Sequence, residues 1–92
     1  MANGLLNSNV ISGVLLNNKV TIKYQNSVIV SIVRTNRISS ASGWIVADSY
    51  GTQMHNNGDG ENISGISAKT ENTELTIEET SNVTRYYLAI VH

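Results

Sequence analysis

The chain of 92 residues reads as all-β: a small antiparallel sandwich or barrel of six to seven short strands. Three observations carry that expectation. Residues 20–24, 28–33 and 83–91 are dense in valine, isoleucine and threonine, and side chains branched at Cβ are stiff at χ1 and pack well on a pleated surface. Apolar and polar residues alternate with a period of two in several stretches, the pattern of a half-buried strand. The chain has no proline, and the turns of asparagine, serine and glycine between the runs are spaced as in a sandwich or barrel.

Residues 1–9 form a polar N-terminal arm, and residues 10–92 a single all-β domain. Residues 10–16 suit a first strand, ended at Asn17–Asn18 because asparagine tolerates left-handed backbone and bonds its own main chain. Val20, Ile22 and Tyr24 alternate with Thr21 and Lys23. The link Gln25-Asn26-Ser27 turns the chain into 28–34, read as the second arm of a hairpin. That arm is apolar on both faces, with Val28, Val30 and Ile32 on one and Ile29 and Val33 on the other, which suits a central or covered strand. After the small-residue link 39–43, residues 44–47 make a short strand. Residues 51–65 hold four of the seven glycines and read as one long loop; loops of this length often bind ligands. Short strands follow at 66–69 and 74–78, where Leu75 and Ile77 point away from Glu74, Thr76 and Glu78. The last strand, 83–91, has apolar residues on both faces and belongs inside a sheet, and of the consecutive Tyr86 and Tyr87 one faces in and one out.

A chain this short buries only roughly 60–65% of the surface its unfolded form exposes. With no cysteine it has neither disulfides nor a thiolate metal site. Small unstapled domains find missing burial in a partner subunit, so a homo-oligomer is expected. Residues 1–47 carry four cations and no acid, for +4, while residues 48–92 carry Lys69 and Arg85 against seven acids, for −5. Either the halves present complementary surfaces, or strands from both interleave and the asymmetry vanishes in space, the reading favoured here. Neither supplies the clustered basic stripe that nucleic-acid binding requires. The stretch 4–16 is broken by polar residues and lacks a basic n-region, against a cleaved signal peptide. No window approaches ~18 uninterrupted apolar residues, against a membrane helix. A soluble chain without membrane contact is expected.

Candidate sites are sparse. Asn57, Asp59 and Glu61 alternate as calcium ligands do, but Asn62 stands where that loop needs glycine and no bidentate acid follows, so a solvated loop is the better account. His55 and His92 lack partners at zinc-ligand spacing, so no metal or other cofactor is expected. No nucleophile elbow exists and no acid–base pair can be assembled in a cleft, so no catalytic residue is assigned and the chain is read as a non-enzyme. Trp44 is most simply a core plug; alternatively its indole is a flat platform for a sugar ring. Tyr50, His55, Asn56 and Asn57, at and within the long loop, are the remaining candidate ligand-binding residues, with amides suited to polyol hydroxyls.

The order KVTIKYQNSVIVSIV, then SASGWIVADS, then a long loop and a closing TRYYLAIVH resembles the β-sandwich head domains of phage tail-fibre and receptor-binding proteins. Gly43-Trp44 entering a strand and the aromatic last strand are the matching pieces, covering about half the chain. The resemblance implies a homotrimer on a virion that binds a cell-surface saccharide or decorates the particle beside other virion proteins. A virion structural or attachment component is thus the expected function. A free-standing lectin-like module and a small phage-encoded inhibitor of a host protein are the rivals.

Overall fold

The computed structural model describes residues 9–35, 42–58 and 62–92. Eight strands are present among them: β1 (Asn9–Leu15), β2 (Lys19–Lys23), β3 (Ser27–Arg34), β4 (Gly43–Asp48), β5 (Gly51–Asn56), β6 (Ile66–Glu71), β7 (Glu74–Glu79) and β8 (Arg85–Val91). They form a five-stranded sheet, β1-β8-β3-β4-β5, and a three-stranded sheet, β2-β7-β6. Every pairing is antiparallel. The architecture is a sandwich and not a closed barrel. Asn9 already belongs to β1, so the expected arm shortens by one residue; its remainder, most of the 39–43 link, Asp59 and Glu61 lie outside the described residues.

Alternation builds the core. Val28, Val30 and Ile32 of β3, Ile45 and Ala47 of β4, and Tyr87, Ala89 and Val91 of β8 point inward, where they meet Ile22, Ile66, Leu75 and Ile77 of the smaller sheet. Tyr87 is buried and Tyr86 half exposed, as period-two alternation requires. Gly13 is paired with Tyr87 and makes room for it, since a Cβ there would meet the tyrosine ring at 2.8–2.9 Å.

Two expectations are corrected. Residues 20–24 and 28–34 do not form a hairpin, because β2 and β3 lie in different sheets. The outward side chains of β2 are Lys19, Thr21 and Lys23, and they face Glu78, Thr76 and Glu74 across β7. β3, apolar on both faces, cannot continue that charged surface, so the chain crosses between sheets at Gln25-Asn26. The amides of Gln25, Asn26 and Ser27 all donate to the His92 carbonyl, at 3.3, 2.7 and 3.0 Å, and pin this corner to the end of β8. The second correction is the long loop, whose first six residues are β5, in register with β4 from Asp48↔Gly51 to Gly43↔Asn56. Its alternation is hidden in the sequence because glutamine and histidine stand on its outer side, where the other strands of this sheet carry mostly apolar residues.

The charge asymmetry along the chain is resolved by interleaving: Lys23 and Glu74 lie 3.7 Å apart on paired strands. The β6–β7 hairpin turns through Asn72 and Thr73 with φ of 53° and 57°, the two left-handed positions of a type I′ turn. Asparagine tolerates this conformation, but a β-branched threonine there is strained. Replacing Thr73→Gly relieves that strain while keeping the Thr73 carbonyl that accepts the Tyr24 N–H at 3.0 Å. Urea unfolding should show a gain of roughly 1 kcal/mol, the strain relief less the entropy of an added glycine.

Candidate functional site

The outward residues of the two sheets differ in kind. On the three-stranded sheet the outward positions are Lys19, Thr21 and Lys23 of β2, Glu74, Thr76 and Glu78 of β7, and Ser67, Lys69 and Glu71 of β6. All are polar and six are ionisable, so this face is solvated. On the five-stranded sheet the register aligns three rows across the strands. Val10, Ile90, Ile29, Val46 and Gln53 make one, and Ser12, Leu88, Ser31, Trp44 and His55 the next. Val14, Tyr86 and Val33 make the third. None of these thirteen positions is Asp, Glu, Lys or Arg, and nine are apolar. Val10 is 67% exposed, Ile29 50% and Leu88 46%. A monomer rarely leaves a contiguous apolar patch larger than ~300–600 Å².

Trp44 is part of this face and is not a core plug. Gly43 holds the inward place at the start of β4, in phase with Ile45 and Ala47, so alternation turns Trp44 outward. A Cβ at Gly43 would run into the β5 backbone at His55 and Asn56, which is why glycine stands there. Trp44 stacks on its cross-strand neighbour His55, with ring centroids 4.3 Å apart and planes at 24°. Asn56 and Asn57 follow at the same end of the β4–β5 hairpin, where Asn56 Nδ2 donates to the Asn62 carbonyl at 2.8 Å and the Asn57 N–H to the Ser42 carbonyl at 2.9 Å. Tyr50 is elsewhere. It occupies the turn at the opposite end of that hairpin and is 96% exposed, so the structure divides the five candidate residues into two groups. Around Tyr50 an open groove of about 370 Å³ runs between the β4–β5 and β6–β7 turns, past Asp48, Thr70, Asn72 and Thr73. At its base the Tyr24 hydroxyl lies 3.2 Å from the Asp48 carbonyl and also bonds Thr70. No group of three or more metal-ligating side chains occurs among the described residues, and no helix among them is long and apolar enough to cross a membrane.

Sequence reasoning missed the buried ion pair. Glu79 and Arg85 are each 1% exposed. Burial pushes the Glu79 carboxyl up, but the Ser81 hydroxyl and the N–H groups of Asn17, Ser81 and Val83 all donate to it, and together they outweigh burial and hold it at about 2. The backbone bonds from Asn17 and Ser81 are 2.9 and 2.7 Å. Arg85 Nη2 lies 3.8 Å from the carboxylate, donates to Ser81 Oγ at 3.0 Å and bonds the Ser64 carbonyl. Burial brings its guanidinium below the usual arginine range, against the pull of Glu79 and with a push from Arg34. The arginine stays charged even so. A Cβ on Gly65 would meet Ser81 and Arg85, and its φ of 79° is a second reason for glycine. The signal was phase: Glu79 is in step with Leu75 and Ile77, and Arg85 with Tyr87 and Ala89.

No family model, curated protein or solved structure matches the chain.

The lowered Glu79 carboxyl sets a pH dependence. A carboxylate depressed on folding stabilises the protein above its unfolded value of 4.5, and that contribution is lost as pH falls from there to about 2. Denaturant titrations between pH 7 and pH 2 should show this loss in the wild type. Glu79→Gln should remove this component of the slope and lower stability at pH 7 by about 3 kcal/mol, because the buried Arg85 loses the Glu79 charge.

Proposed function

We propose that the chain is a non-catalytic, self-associating component of a virion, a tail-fibre head or decoration module, that attaches to a cell-surface saccharide or to a neighbouring virion protein. The observation that carries the reading is the apolar outer face of the five-stranded sheet, set against the charged outer face of its companion in the same chain. A protein that works alone in water has no use for such a face, whereas a protein that works in many copies needs one. Gly43-Trp44 opening β4 and the aromatic closing strand β8, which carry the resemblance to virion head domains, both contribute side chains to it. The carboxylates Glu74 and Glu78 stand on the open outer face of β7, a setting for solvated charge and not for acid–base chemistry, which needs a water-excluding cleft.

A second reading, a lectin-like module, is favoured by Tyr50 alone. Its ring projects from a turn beside carboxylate, amide and hydroxyl groups, the combination of flat apolar surface and hydrogen-bonding partners that suits a sugar.

Light scattering on the purified full chain should give a mass that is a multiple of the monomer's. A monomer at every concentration, together with specific binding on a glycan array, would overturn the structural reading in favour of the lectin. If the Tyr50 groove is the saccharide site of either protein, Tyr50→Ala should weaken glycan binding on the order of tenfold and leave the oligomer intact.

A further inference from the structure

We infer that the occupant of the apolar face is a second copy of this chain, seated face to face across a two-fold axis that runs between Ser31 and Leu88. The inference rests on the proposed self-association and specifies its geometry.

Three features of the face select a copy of itself. The first is charge. A face without Asp, Glu, Lys or Arg in its three rows meets its own copy with no like-charge contact, whereas a charged partner surface would lose hydration and find no counter-ion there. The margin is polar, at Asp48 and Gln53, as the rim of an interface is. The second is size. Strands about 4.8 Å apart, rising about 3.3 Å per residue, give five strands a face of roughly 500 Å² in projection, and side-chain relief raises the accessible area toward the ~800 Å² per partner of a stable contact.

The third is relief. In the middle row Ser31 lies in register between Leu88 and Trp44, so a small residue at the centre of the sheet is flanked by two large ones. That leaves a pit at Ser31, walled by Leu88 and Trp44 across the sheet and by Ile29 and Val33 along the strand. Two such surfaces interdigitate when turned face to face, at the ~10 Å spacing of stacked sheets. With the axis between Ser31 and Leu88, the Leu88 side chain of one copy enters the Ser31 pit of the other.

Sedimentation equilibrium of the full chain tests this. The wild type should be a dimer. The double variant Ile29→Lys with Leu88→Lys, both outward and outside the core, should weaken association on the order of 100-fold or more, since each lysine would be buried without a partner. Ser31→Trp, which fills the pit without adding charge, should weaken it on the order of tenfold by the same conversion while circular dichroism stays that of the wild type. Thr76→Lys on the charged face and Ile11→Lys on the inward side of β1 should leave the dimer in place. A wild type that is monomeric at all concentrations would overturn both this inference and the self-association it rests on. A trimeric mass, or an assembly that survives the double lysine variant and dissociates in Ile11→Lys, would overturn only the face-to-face arrangement, the latter outcome assigning the contact to the free edge of β1.

Discussion

A strand shows its side chains to two sides, and a sheet whose strands are apolar on both needs cover on both. β3 and β8, neighbours at the middle of the larger sheet, are such strands. The three-stranded sheet covers one side and accounts for every fully buried aliphatic side chain of β3, β4 and β8. It is also too narrow to cover all of it: Ile11, on the inward side of the edge strand β1, is still 39% exposed. The opposite side has no cover within the described residues. Hydrogen-bonded neighbours do not help, because they satisfy the edges of a strand and leave its faces untouched.

Two polar devices hold the layers together at their ends. At one end the Glu79 carboxylate gathers N–H groups from the β1–β2 turn and from the segment between β7 and β8, while Arg85 reaches the carbonyl ahead of β6. Burying this pair costs desolvation that the Coulomb attraction alone does not return. Its use is positional, since strands from both sheets must arrive in one register for the bonds to be made. At the other corner the His92 carbonyl receives three amides from the crossing between β2 and β3. One end is thus fixed by side-chain charge and the other by main chain, and neither contact lies on the outer faces.

Most of the strands were legible from branched residues and alternation, including the two-sided character of 28–33 and 83–91. What that character meant was only half legible. Apolarity on both faces reads as a central strand, and β3 and β8 are central, but centrality explains pairing and says nothing of which layer lies above. β5 was hidden because its polar outer residues and flanking glycines imitate a loop, and the pairing that makes it a strand comes from β4. Trp44 was misplaced for a related reason: the phase of β4 is set by Gly43, Ile45 and Ala47, and a glycine at an inward position gives no hydrophobic signal. The division of the candidate residues followed from β5, since a strand between Tyr50 and Asn56 separates by its own length what a flexible loop could bring together.

Poverty of charge does not explain the apolar face. The chain is only 14% charged, and one can suppose that its few ionisable residues were simply spread thin. They are not spread. β2, β6 and β7 carry lysine or glutamate at two of every three outward positions, while the outward side of the larger sheet carries a single acid, Asp48, in its end row. The edges repeat the pattern: β2 and β6 are guarded by Lys19, Lys23 and Lys69, the usual defence of an open edge, and β1 from Asn9 to Leu15 has no charged residue. The same chain therefore applies the devices that keep a sheet solitary to one layer and withholds them from the other. That contrast, more than the amount of exposed hydrocarbon, is what supports reading the larger sheet's outer side as the one that meets protein.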